Sequence, residues 1–172
     1  PERNVPMFGG YKFNPKDDFI NKEKINWVSI EEQLLSIERL IKAGKVRYFA
    51  LSNEWPWGLM EFIRLAKIKN LPLVCTLQNS YSLINRIVEL GMTEIFFREK
   101  LSFFSYSPLG FGHLSGKYLK DPKAVGRVNL FPGYAQRYNK SGVKKAIEKY
   151  DALAAKRNVS LTDLALSFVY SQ

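Results

Sequence analysis

Three apolar runs in this 172-residue chain end in side chains able to donate and accept hydrogen bonds. Ser52 and Asn53 close "KVRYFALSN", Gln78 and Asn79 close "LPLVCTLQN", and Tyr106 and Ser107 lie at the polar turn of "KLSFFSYSPLG". Amides and hydroxyls suit a neutral, hydrogen-bonding head group better than a metal, which would want clustered histidine, cysteine or carboxylate ligands, and the sequence offers no such cluster. The same residue types also form turns and cap helices. One pair alone decides nothing; three pairs at corresponding places favour a site. Beyond the third run, Gly110, Gly112 and Gly116 let backbone approach a ligand closely, while Lys117, Lys120, Lys123 and Arg127 supply positive charge. That composition fits the phosphates of a nucleotide. Solvated surface loops share it, so its weight comes from its place after a strand end.

Positioning these groups requires a repeating frame, and the chain has one. Residues 1–27 mix Pro, Gly, Asp, Lys and Asn without a period and read as a long loop, a length usual only for functional loops. At Ser29 and Glu32 a capping box opens a helix with Ile30, Leu34, Ile37 and Ile41 on one face, and Gly44 stops it. A strand follows, then a helix with Leu59, Phe62, Ile63 and Ala66 inward. The cycle repeats with a strand in "LPLVCTLQN", a helix around Ile87 to Phe97 and a third strand. Such alternation over 28–110 predicts parallel strands joined by crossover helices, because parallel neighbours cannot be linked by tight hairpins. In parallel α/β folds ligands bind at the C-terminal strand ends, where the amides and hydroxyls lie. Residues 111–141 read as a long binding loop without regular structure. Residues 142–172 close the chain with two helices, one burying Val143, Ile147, Tyr150 and Ala154, the other opened by a capping box of Ser160 and Asp163.

The length and a hydrophobic content of 46% allow one sizeable core and exclude a disordered chain. A formal charge of +10 is compatible with nucleic acid, an anionic ligand or a lysine-rich surface; the basic residues are scattered and form no arm, so no nucleic-acid partner is expected. Cys75, the only cysteine, sits in an apolar run and is expected to be buried, which excludes an internal disulfide and makes the reducing cytoplasm the default location. No stretch is long and apolar enough for a membrane span, and the first residues are neither a signal nor a transit peptide. With no initiator Met and a stop within a helical pattern, the chain is expected to be part of something longer.

The string "KVRYFALSNEWPWGLMEFIRLAKIKNLPLVCTLQNSYSLINR" followed by "FFSYSPLGFGHLSGKYL" resembles the aldo-keto reductase family, in the branch of the bacterial Tas proteins and the potassium-channel β subunits. The "SN", "QN" and "YSPLG…GKY" motifs stand in the family's order and separation along almost the whole chain. The resemblance implies a partial (β/α)8 TIM barrel of about three parallel strands with flanking helices. It also implies NADP(H) as cofactor and reduction of a small-molecule carbonyl substrate, an aldehyde or ketone, by hydride transfer. Carried over, Ser52, Asn53 and Gln78 would bond the nicotinamide carboxamide and Tyr106 would stack under the ring. Ser107, Leu109 and Gly110 would line the pyrophosphate path, with Lys117 and Arg127 on phosphates. The family's catalytic tyrosine, lysine, aspartate and histidine or asparagine fall before Pro1 in this pattern, and the segment that grips the adenosine 2′-phosphate falls beyond Gln172. His113, the only histidine, falls in the cofactor loop and reads as an exposed, ordinary residue.

Three strands cannot close a barrel, so the resemblance also implies a complementary N-terminal half or self-association through open barrel edges. A non-catalytic NADP-binding or interaction module, or a decayed gene product, is the alternative reading. Of the walls of a substrate pocket, only the first loop, Trp55 and Trp57 would be present, and the two tryptophans serve packing equally well.

Overall fold

The computed structural model describes residues 28–131, 133, 136–138 and 140–172; the long loop expected over 1–27 lies outside them. Ser29 starts the first helix, α1 (Ile30–Lys42), by accepting the Glu32 N–H on its hydroxyl at 3.1 Å. Only this half of the expected capping box is formed. Glu31 and Glu32 at its start and Arg39 and Lys42 at its end complement the helix dipole. Gly44, with φ of 69°, ends it where a side chain would be strained.

The alternation predicted from sequence follows: β1 (Ala50–Ser52), α2 (Pro56–Lys69), β2 (Thr76–Ser80), α3 (Thr93–Glu99) and β3 (Ser102–Tyr106). The three strands are parallel and ordered β1-β2-β3, with helices flanking an open sheet. Ala50 pairs with Thr76, Leu51 with Leu77 and Ser52 with Gln78. The strands are shorter than the apolar runs that predicted them, because apolarity marks burial and not the hydrogen-bonded ladder; Tyr48, inside the first run, is 75% exposed. The helix expected over 87–97 is broken. A 3-10 turn covers Ile87–Leu90 and α3 begins only after Gly91, a poor helix former. Cys75 precedes β2 by one residue and is exposed, contrary to the expectation of burial. Its N–H donates to the Phe49 carbonyl at 3.1 Å and its thiol to the same oxygen at 3.0 Å.

The described residues form two compact units: 28–79 with 91–104, and 80–90 with 105–172. The boundary falls within β2 and β3. In the first unit Leu34, Leu59 and Leu77 are fully buried, joined by Ile30, Phe62, Ile63, Ala66, Val74 and Met92. Each fully buried leucine contributes about 1.5–3 kcal/mol of transfer free energy. Leu59, Phe62, Ile63 and Ala66 are the inward face that the spacing predicted.

In the second unit α6 (Ser141–Lys156) and α7 (Leu161–Tyr170) pack on each other, and Leu83, Leu114, Ile147, Leu161 and Ala165 make the core. Val143 and Tyr150 pack against it partly buried, as their spacing suggested. The full capping box expected of α7 is present, with the Asp163 N–H donating to the Ser160 hydroxyl at 3.0 Å and the Ser160 N–H reaching the Asp163 carboxylate. The 111–141 segment is more regular than a structureless loop. It holds a 3-10 stretch (Gly110–Ser115), α4 (Lys117–Lys120), α5 (Arg127–Leu130) and a 3-10 turn (Gln136–Tyr138). Among the described residues no helix is long and apolar enough to cross a membrane.

Candidate functional site

Two groups of side chains, one in each unit, carry the chemistry expected of the strand ends. In the first unit, register places Ser52, the last residue of β1, opposite Gln78 in the middle of β2. Asn53 takes φ of 57°, a left-handed conformation that asparagine tolerates better than branched residues, and this turns the chain out of β1. Its N–H donates to the Gln78 carbonyl at 3.0 Å, and its side-chain amide donates to the Ser52 hydroxyl at 3.0 Å. The Ser52 hydroxyl, having accepted one bond, keeps its own proton to donate, and the Gln78 amide is exposed. Asn79, pointing the other way, donates to the Glu54 carbonyl at 2.8 Å, so this second amide of the "QN" pair braces the turn that leads into α2. Trp55 is the N-cap of α2 without a side-chain capping bond, and Trp57 is 60% exposed.

In the second unit the chain leaves β3 through a run of unusual backbone. Ser107, Gly110, Phe111, Gly112 and Gly116 all have positive φ, from 55° to 93°. The turn is held from within: the Gly110 N–H donates to the Ser107 carbonyl at 2.8 Å and the Phe111 N–H to the Ser107 hydroxyl at 3.0 Å. Gly110 has a second reason to be glycine. A Cβ there would come within 2.7 Å of the Ile84 side chain.

This run forms one side of a cavity of about 430 Å³. Tyr106, Ser107, Leu109, Lys117 and Arg127 all line it, so most of the residues singled out beyond the third strand converge. Gly110 does not line it; it is buried behind the wall and acts through the turn. Lys120 and Lys123 do not line it either. Phe111 and Leu166 do, and neither was singled out from sequence. The signal for Phe111 was its place between two glycines; Leu166 comes from α7, far along the chain, and had none.

The two cations differ in their setting. The Lys117 amine donates to the Val125 carbonyl at 3.2 Å and stands 4.9 Å from the centre of the Tyr118 ring. A Cβ at Gly126 would collide with that amine and with the Tyr118 hydroxyl, so a bare backbone at 126 makes room for both. The Arg127 guanidinium lies 5.9 Å from the centre of the Phe111 ring, whose edge meets Tyr106 at 6.0 Å. No carboxylate is among the cavity's described lining. Two cations, a hydroxyl and glycine-freed backbone therefore face one space, an arrangement suited to an oligophosphate.

His113 is not the exposed residue expected. It is partly buried between Tyr118 at 5.1 Å and Tyr138 at 5.7 Å, and burial lowers its pKa below 6.5. It does not line the cavity that Lys117 lines. Among the described residues no group of three His, Cys, Asp or Glu side chains is placed to hold a metal.

Residues 2–172 match the model of the aldo/keto reductase family. The chain is similar to the Tas protein of Escherichia coli (strain K12), 37% identical over 174 residues that span 100% of this chain and 48% of that protein. It is also similar to an aldo-keto reductase of Babesia bovis, 35% identical over 179 residues, 100% of this chain and 63% of that protein. The chain thus spans from about half to under two thirds of these relatives' length. Among solved structures, a glycerol dehydrogenase of Gluconobacter oxydans matches with a TM-score of 0.66 at 21% identity, covering 84% of this chain and 43% of its own. At that identity the likeness shows the fold: the strand–helix alternation is part of a TIM barrel.

Proposed function

Because the chain belongs to the aldo/keto reductase family, we propose that it forms the cofactor-binding part of an NADP-dependent oxidoreductase that reduces aldehydes or ketones in the cytoplasm. The observation that carries this reading is the cavity gathering Tyr106, Ser107, Leu109, Lys117 and Arg127 around glycine-freed backbone. When bound, NADPH supplies a hydride to the carbonyl carbon of the substrate, while a proton goes to the oxygen.

The residues here bind and orient. By family resemblance the exposed Gln78 amide and the Ser52 hydroxyl would hold the nicotinamide carboxamide, with Asn53, fixed by its own two bonds, keeping that hydroxyl turned. Tyr106 gives the ring a flat surface, which decides which face is free to react. The Ser107–Gly110 turn bends the backbone along the pyrophosphate, and Lys117 and Arg127 neutralise phosphate charge. By family resemblance, the tyrosine, lysine, aspartate and histidine or asparagine of the reaction would come from a complementary N-terminal half.

The experiment is an NADPH titration, followed by nicotinamide fluorescence, of this chain joined to the N-terminal half of a relative such as the E. coli Tas protein. Saturable binding is expected, weakened about tenfold or more by Lys117→Ala through loss of a charge-assisted contact. Turnover across an aldehyde panel should follow. Binding without turnover would point to the non-catalytic module, and absence of binding would overturn the reading.

A further inference from the structure

The second unit holds another cavity, about 380 Å³, within the usual range for small-molecule sites. It uses the same short elements as the phosphate-facing cavity but their alternate residues. Lys117 and Arg127 line the first space; their neighbours Tyr118 and Val128 line the second. The two spaces are therefore distinct, and the second belongs to no part of the proposed cofactor site.

Its lining has three chemical features. Leu119, Pro122, Val128 and Ile147 make an apolar floor. The rings of His113, Tyr118 and Tyr138 form a wall, with centroids 5.1 and 5.7 Å from the imidazole. At the rim stand Lys140, Ser141 and Lys144, the entry to α6, whose first turn contains no acidic residue. No carboxylate is among the described lining. Positive charge and a helix start beside an aromatic wall and an apolar floor suit an anion with a flat apolar body.

We propose that this cavity is a second ligand site, for a small aromatic carboxylate, whose ring lies against the Tyr118–Tyr138–His113 wall and whose carboxylate meets Lys144. The metabolic role of such a ligand is separate from the cofactor reading and does not depend on it.

His113 is the only histidine in the chain, so its ring Hε1 proton gives one signal to follow in a proton NMR titration. Sodium benzoate and neutral benzamide, equal in shape, are the probes. Benzoate is expected to shift the His113 resonances saturably, and benzamide to bind about tenfold more weakly. Lys144→Glu should erase the difference between the two probes. Val128→Trp, which fills the floor from a half-buried position, should abolish both shifts. A linear or absent response to benzoate overturns the proposal, as does equal binding of benzoate and benzamide by the unaltered chain. That comparison needs no variant, so a misfolded mutant leaves the test intact. Benzoate shifts surviving Val128→Trp in a folded protein would overturn it as well.

Discussion

The half-buried imidazole of His113 links one residue to the stability of the second unit. Burial lowers its pKa below 6.5, so the folded state prefers the neutral ring more than the unfolded state does. The associated stability is complete above the unfolded value and is lost as pH falls through the folded one. With no second histidine in the chain, stability measured by urea unfolding should decline between pH 7 and pH 5, and His113→Gln should flatten that part of the profile. Residue-level legibility was uneven for a physical reason. Ser52 and Gln78 drew notice because they close apolar runs, and Lys117 and Arg127 because they bring charge to a glycine-rich segment beyond one; the last two line one cavity. The burial of His113 was not readable, because Tyr138, which covers it, lies 25 residues further along and no local pattern announces such a contact. Cys75 misled in the opposite direction, since an apolar neighbourhood in sequence is no guarantee of cover once a strand begins one residue later. Tyr81 was also silent in sequence. Its hydroxyl, buried and bonded to Glu89, is pushed up to about 12, first by desolvation and then by that carboxylate.

Elements were more legible than residues, and caps more than cores. The Ser160–Asp163 box predicted where α7 starts, and both reciprocal bonds are made. Ser160→Ala should cost about 1 kcal/mol of stability, readable in a urea midpoint without a change of slope. Ser29→Ala removes a cap of the same kind from α1, but only a single bond, so its cost should be smaller. The spacing of α2 located a face of Leu59, Phe62, Ile63 and Ala66 because helical periodicity survives tertiary packing. Strand limits did not follow from apolar runs, and the break at Gly91 was hidden by apolar residues on both sides of it. The short helices α4 and α5 escaped notice for another reason. At four residues each, they lack the length at which a period becomes visible.

At the scale of the whole molecule, the α/β class was readable from alternation alone, whereas the barrel came through family resemblance, since no three strands announce the five that would close it. The charge of +10 acts at this scale too. A field of that sign speeds the approach of any polyanion and is screened by salt. NADPH affinity of the completed protein should therefore fall steadily between 50 and 500 mM salt, with a smaller decline in the Lys117→Ala variant, and a flat profile would show that phosphate contacts contribute little. The division into two units has a further consequence for the living cell. The first unit is discontinuous: its piece 28–79 is completed only by 91–104. A ribosome adding about 5–20 residues per second delivers that last piece roughly 1–5 s after Asn79. Through that interval β2 waits on the nascent chain without β3, its neighbour in the sheet, which makes this stretch of synthesis the moment when a chaperone has most to hold.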